Sequence, residues 1–509
     1  MRRIALSIIM IFFIQFSGSA QFVGSCLPDG IAFHTQAQID SFQIIYPNCT
    51  EIEGDVYISG NDITNLNGLN VLTSIGGGLT VNYCNALTSL TGLDNVTSIG
   101  GFLWIGMLDP VGGGGNPSLT SLTGLEGLTS IGGSLNISHN NSLTSLTGLD
   151  NVTYIGGALS ISHNNSLTSL TGLENVTSIG LWFHISFSFA LTSLSGLDNV
   201  TSIGGDVSIT GTHLTSFSGL DNVTTIEEDL FISSNALTSL TGLDNVTSIG
   251  GSLSLYNNNT LTSLIGLDNV TSIGGELGIS DNDALTSLSG LDKVTFIGGN
   301  LWIYENDVLT SLTGLDNVAS IGGDLNINEN YALSSLTGLN NVTSVGGELW
   351  IKSNSVLTSL AGLDNIDAGS IVDLSILYNS YLSTCEVESV CDYLASPTGI
   401  IYIYHNAAGC YDQQEVEAAC GITSIEGVRL SDKVLIYPNP SSNQITVELP
   451  YTPQRNSFLT IYNINSQHLI TRRITEQKTV VDVSGLPTGF YFVKVADENT
   501  VTVGKVVKK

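Results

Sequence analysis

A Gly-Leu step recurs along most of this chain and limits what it can fold into. Its glycines run from Gly68 and Gly92 through Gly148 to Gly362, thirteen in all, spaced 24 or 23 residues apart except for one gap of 32. The long gap holds an inserted loop, residues 106–117 (GMLDPVGGGGNP). A fixed period of this length marks units that cannot bury an apolar face alone and must stack on their neighbours. Residues 51–383 therefore read as a solenoid of about thirteen coils.

One unit, residues 143–166, is LTSLTGLDNVTYIGGALSISHNNS. Its apolar positions are Leu143, Leu146, Leu149, Val152, Ile155, Leu159 and Ile161, a spacing that never sustains three helical turns. Thr, Ser, Val and Ile favour extended backbone, while Gly148, Asn151, Gly156 and Gly157 supply corners. The expected class is all-β, a right-handed parallel β-solenoid, with coils about 4.8 Å apart in a rod about 60 Å long. Asn95, Asn151, Asn175, Asn199, Asn222, Asn245 and Asn269 recur at one corner, where stacked amides can bond each other and the turn backbone. Asp150, Asp198, Asp244 and Asp268 fit Asx-turns beside them. Cys84 takes the position of Asn140 and Asn164 in other coils and reads as a small buried thiol.

Residues 1–20 have Arg2 and Arg3, an apolar run and a small-residue end, the pattern of a signal peptide. No stretch is long enough to cross a membrane, so the mature chain is expected to lack a transmembrane segment. Residues 21–428 carry 39 Asp and Glu against Lys293 and Lys352, whereas residues 429–509 carry 10 Lys and Arg against 6 acids. Nucleic acid is excluded as a partner of so acidic a body, because affinity for phosphate backbones comes largely from Lys and Arg. In an oxidising compartment Cys26 and Cys49 are expected to pair in an N-terminal cap (21–50). Cys385, Cys391, Cys410 and Cys420 are expected to form two bridges in a C-terminal cap (384–420), with three connectivities open. The cap sequence suggests two short helices around a strand at 400–404. Residues 421–433 form a linker.

The run Leu-x-Ile-x-x-Asn-x-x-Leu-x-x-Leu, residues 159–170, resembles leucine-rich repeats, and Gly-Leu-Asp-Asn-Val-Thr-Ser-Ile-Gly-Gly resembles receptor L-domain coils more closely. This resemblance covers about 330 residues. It implies an architecture and leaves the ligand open, since such solenoids serve unrelated ligands.

The segment 434–509 alternates as strands at 434–437, 445–449, 458–463, 479–483, 489–495 and 500–507, a small antiparallel β-sandwich. Tyr437, Pro438, Asn439 and Pro440, then the Leu-Pro-Thr-Gly-Phe-Tyr stretch with Gly489 and Tyr491, then a basic end, resemble the type A sorting domain of type IX secretion in Bacteroidetes. Ser466 departs from the Gly common in the family's middle hairpin. The resemblance implies the type IX secretion machinery as a partner and a secreted or cell-surface location outside the outer membrane. Repeated Asn-Val-Thr sequons suggest lipid-anchored fungal wall proteins instead, but those need a hydrophobic C-terminal tail and this chain ends in KVVKK.

Side chains between the two apolar residues of each Leu-x-Ile strand should point outward. That column holds Tyr57, Trp104, Phe231, Trp302 and Trp350 among small polar residues, with Trp182 beside it. Trp302, Tyr304, Asn326, Asn328, Trp350 and Lys352 cluster with Asp324 and Glu348, and Trp302 and Trp350 lie two coils, about 10 Å, apart. Aromatic rings flanked by amides and carboxylates suit an extracellular glycan. A protein-binding adhesin using the same face or the 106–117 loop is the companion reading, since exposed aromatic anchors also build interfaces.

Other classes are weaker. Threonine columns such as Thr144, Thr168 and Thr192, or Thr153, Thr177 and Thr201, could order water for ice binding, but β preference alone produces them. A polysaccharide-degrading solenoid needs a special acid pair, and these Asp residues recur too regularly. His139, His163, His184 and His213 sit without a nucleophile motif, so no enzyme is expected. No cofactor is implied, although Asp281-Asn282-Asp283 is a suggestive cluster for Ca²⁺.

Overall fold

A computed structural model describes residues 24–106, 114–422, 434–449, 452–453, 457–465, 467–496 and 501–509. The signal peptide, most of the 106–117 loop, most of the linker and Ser466 lie outside the described residues. The chain divides into two compact units, residues 1–420 and 421–509.

The first unit is a parallel β-solenoid. Its long sheet has sixteen strands, from Ile31–Phe33 through Leu159–Ser162 to Ile401–Tyr404, and its short sheet has fourteen, from Gly24–Cys26 to Ser344–Val345. Coils up to the strand Leu349–Lys352 give one strand to each sheet, and the last two strands, Leu374–Leu377 and Ile401–Tyr404, extend the long sheet alone; equivalent residues pair in register, as Leu159 does with Phe183 and Ile161 with Ile185. All seven apolar positions of the 143–166 coil are fully buried. Each such Leu, Val or Ile contributes about 1.5–3 kcal/mol relative to exposure, so the core is a set of continuous apolar columns.

The solenoid is longer than the expected thirteen coils because the cap segments supply strands of their own. The strand Ile401–Tyr404 continues the long sheet, pairing Ile403 with Ile376, between the helices Glu388–Ala395 and Gln413–Ala419. At the other end, Thr35 caps the helix Gln36–Ile45, reciprocally with Gln38. The disulfides join Cys26 to Cys49, Cys385 to Cys410 and Cys391 to Cys420, selecting one of the three open connectivities.

Hydrogen bonds at the corners differ from expectation in two respects. The exposed Asn column bonds the backbone of the preceding coil, Asn175 donating to Asp150 O at 2.6 Å. The amide-to-amide ladder lies instead in a buried column that includes Asn140, Asn164, Asn282, Asn306, Asn330 and Asn354. There each side chain can satisfy both a backbone amide and a backbone carbonyl that the turn would strand. The corner Asp residues reach backwards rather than forming Asx-turns, Asp150 accepting the amide of Gly148 at 2.7 Å. Gly148 is required there: its φ is +113°, and a Cβ would sit 2.4 Å from Leu122 O. The carboxylate faces that amide because the glycine turns it toward the corner.

Cys84 stands in the Asn ladder, its amide bonded to Asn116 Oδ1 at 3.1 Å and its Sγ 3.3 Å from Asn82 O. Burial pushes its thiol up to about 11, which keeps it protonated and unreactive.

The second unit pairs a three-stranded antiparallel sheet with a four-stranded one around Ile445, Val447, Leu459, Ile461, Val493 and Val495. It has one strand more than the alternation suggests, His468–Arg473, an edge strand with almost no buried side chain and so no apolar rhythm to read. Asn439 clamps the last strand, donating to Lys505 O at 2.8 Å and accepting from Val507 N at 2.9 Å. Tyr437 bonds Glu448, which is paired with Lys478, and Tyr491 donates to Pro487 O at 2.7 Å. Residues of the sorting motif thus hold the two ends of this domain together.

Candidate ligand-binding face

Strand register makes the outward column of the long sheet continuous. Phe231, Ser254, Gly278, Trp302, Asn326, Trp350, Ser375 and Tyr402 are neighbours in that order on successive strands. Large and small residues on a parallel sheet make relief, and a depression lies at Gly278. Its strand, Leu277–Ser280, presents no side chain there, between Phe231 and Ser254 on one side and Trp302 on the other.

The result is an open cleft of about 650 Å³. Phe231, Tyr256, Trp302 and Tyr304 supply aromatic wall, and Glu276, Asp281, Glu305, Asn326 and Asn328 supply polar rim. Trp302 is 45% exposed, so its ring is open to a ligand from the cleft. A second depression of about 340 Å³ is lined by Trp350, Ser375, Tyr402, Tyr404, Glu348 and Asp373, among others.

The carboxylates on the rim are crowded. Asp281 is pushed up to about 6, first by burial and then by Glu305 and Asp283. Glu305 is held below its ordinary range, chiefly by the hydroxyl of Tyr304, and that same bond raises the tyrosine. Asp281, Glu305 and Glu329 occupy one corner column in the left-handed backbone region, at φ +54°, +50° and +55°, which stacks their side chains on adjacent coils.

The structure divides the expected cluster. Trp302, Tyr304, Asn326 and Asn328 line the first cleft, whereas Trp350 and Glu348 line the second depression. Lys352 leans toward Trp350, its Nζ 5.9 Å from the ring centroid, and Glu348 accepts the Ser375 hydroxyl at 2.6 Å. Asp324 accepts the backbone amide of Glu348 at 2.8 Å, a structural bridge between coils. Trp104 lies eight coils away from Trp302 and stacks on Phe102 at 4.2 Å. Sequence reasoning set Phe231 and Gly278 in the outward column without joining them to the cluster, and passed over Tyr256 and Glu276 as lining residues. The signal was present as a glycine interrupting a column of side chains between two aromatics. Tyr402 was missed because the cap breaks the 24-residue period.

Other candidates find structural employment. Asn282 is spent in the buried ladder, its Oδ1 accepting the backbone amide of Asn258 at 3.0 Å while its Nδ2 donates to Leu255 O and Ser280 O, so Asp281-Asn282-Asp283 does not offer three free oxygens. Among the described residues no group of three or more His, Cys, Asp or Glu is arranged to hold a metal ion. Thr153 and Thr286 donate their hydroxyls to Thr129 O and Thr262 O of the preceding coil. His139 and His163 stack at 4.5 Å, and burial, then His139, lowers the pKa of His163.

Residues 435–509 match the family described as the secretion system C-terminal sorting domain. Residues 115–208 and 201–334 match the BspA type Leucine rich repeat region, in six copies. The chain carries BspA-type leucine-rich repeats and a type IX sorting domain. The sorting domain makes this a secreted or cell-surface protein that engages the type IX machinery. Among the described residues no helix is long and apolar enough to cross a membrane. No curated protein matches the chain.

Proposed function

We propose that this protein is a non-catalytic binding solenoid, delivered outside the cell by its sorting domain, and that the cleft at Gly278 receives an extracellular glycan. The observation that carries the reading is the cleft itself. An exposed indole and three further aromatic rings provide apolar faces, and Glu276, Asp281, Asn326 and Asn328 provide oriented donors and acceptors for hydroxyls. Relief on a parallel sheet is fixed by strand register, so the site is formed before the ligand arrives and little ordering entropy is lost on binding.

The test is a glycan array probed with the exported protein and two variants. Gly278→Tyr plugs the cleft without backbone strain: φ there lies outside the left-handed region, and the nearest atom to an added Cβ is Glu276 Oε1 at 3.3 Å. Trp302→Ala removes a wall. Both should reduce glycan binding at least tenfold, and binding unchanged in both would refute the site.

The crowded carboxylates favour a second reading, an adhesin that captures a basic protein surface at the same cleft. Salt separates the two. Charge pairing at an exposed site weakens strongly between low and physiological ionic strength, whereas stacking of a neutral sugar does not.

A further inference from the structure

We infer that the ligand is an extended β-1,4-linked polysaccharide chain lying along the solenoid axis, across the strands, over the C-terminal coils. This rests on the glycan reading above and adds the linkage and the direction.

The argument starts from register. Trp302, Asn326, Trp350, Ser375 and Tyr402 are successive partners on five adjacent strands, so aromatic and small polar side chains alternate strand by strand. Strands about 4.8 Å apart place like residues at about 10 Å intervals. A flat chain of equatorially linked β-1,4 pyranoses advances by close to one strand spacing per sugar, so that every second sugar returns to the same orientation. Three aromatic rows at two-strand spacing therefore meet every second ring of such a chain. Asn326 and Ser375 fall under the sugars between. A β-1,3 chain curls and loses this match after a few units.

Two further observations agree. The clefts at Gly278 and at Ser375 lie consecutively on one face, with Asn326 lining the first and Trp350 the second, so they form parts of one track. Trp302 and Tyr402, at its ends, are 45% and 49% exposed. Tyr402 comes from the cap strand Ile401–Tyr404, which two disulfides hold within a short segment. That strand carries the third stacking position as well as closing the solenoid. Nearer the N terminus the same column has Tyr57 and Trp104 two strands apart with Thr80 between, but Ser160 stands at the next such position, so a run of three aromatics at this spacing is found at the C-terminal end.

Lys352 lies 5.9 Å from the centroid of Trp350, near the outer limit of a cation–π contact. A sugar face can displace it at small cost, leaving the ammonium free to donate to a hydroxyl.

Calorimetric titration of the exported protein tests this with cellobiose, cellotetraose, cellohexaose, chitohexaose and laminarihexaose. Affinity for at least one β-1,4 hexaose should exceed that for cellobiose by tenfold or more, and laminarihexaose should bind no better than cellobiose. Tyr402→Ala should bring the hexaose down to the affinity of the tetraose, and Tyr402→Trp should restore the difference. A hexaose that binds no tighter than the disaccharide, or laminarihexaose that binds as tightly as the β-1,4 hexaoses, overturns the inference. A different glycan captured through Gly278 and Trp302 on the array, with no β-1,4 oligosaccharide bound, defeats this inference and leaves the proposed function standing. Failure of every glycan removes both.

Discussion

Asn306 shows how much one buried side chain does in this fold. Its amide donates to Ile279 O at 2.9 Å and Tyr304 O at 3.0 Å, and its Oδ1 accepts the backbone amide of Asn282 at 3.2 Å. Asn306→Ala strands two strand carbonyls, of Ile279 and Tyr304, and the turn amide of Asn282, each costing about 1–3 kcal/mol when left unpaired and dry. A loss of at least about 2 kcal/mol is expected, read as faster amide exchange at Asn282 and in the neighbouring coils; exchange unchanged there would refute a stabilising ladder. Asp281 gives a prediction with a pH signature. Its carboxyl is pushed up to about 6 by burial and by Glu305 and Asp283, so the native state holds this proton more tightly than the unfolded chain does. The contribution favours folding at low pH and is lost as pH rises from about 4 through 6. Asp281→Asn lacks the term and should gain melting temperature over the parent on going from pH 4 to pH 7.5. Asn also suits the φ of +54°, which would raise stability equally at every pH, so only the pH-dependent difference counts. A constant difference across the range would sink the electrostatic account.

At the scale of strands and coils, the period carried most of the fold. Leu143, Leu146, Leu149, Val152, Ile155, Leu159 and Ile161 repeat because each lies on its own equivalent in the next coil, so a one-dimensional pattern was enough to place them inside. The outward column was readable for the same reason, and strand pairing confirms Trp302 opposite Asn326 and Asn326 opposite Trp350. What the period could not show was depth. Whether a glycine such as Gly278 is a gap or merely a small residue depends on Phe231 and Trp302 several coils apart, and relief is a property of the assembled sheet. The amide-to-amide ladder was likewise expected in the exposed Asn column and lies in the buried one. Both recur every 24 residues or so, and only the turn geometry tells which is dry. Cap pairing required three dimensions, since Cys385, Cys391, Cys410 and Cys420 are compatible with three connectivities until helix and strand set Cys385 beside Cys410.

The whole molecule joins a β-solenoid to a sorting domain, and the two have separate cores. Residues 1–420 and 421–509 form distinct compact units, and the buried cluster of the tail draws only on tail residues such as Val434, Ile445, Leu459 and Val506. Removing residues 435–509 should therefore leave the solenoid folded but undelivered. Cell fractionation should find the truncated protein retained behind the outer membrane, while its far-ultraviolet dichroism and its melting remain those of the β-solenoid. Truncated protein in the medium or at the surface would show that another signal directs export. Asn439→Ala refines the experiment, because Asn439 holds both Lys505 O and Val507 N and so fastens the basic final strand to the start of the domain. That variant keeps every other residue of the sorting domain. It should lower export in proportion to how far the final strand comes loose, measured as protease cleavage near Lys505. Export at the parental level with that strand cleaved readily would mean that the machinery reads the terminal sequence itself and does not require the clamped sandwich.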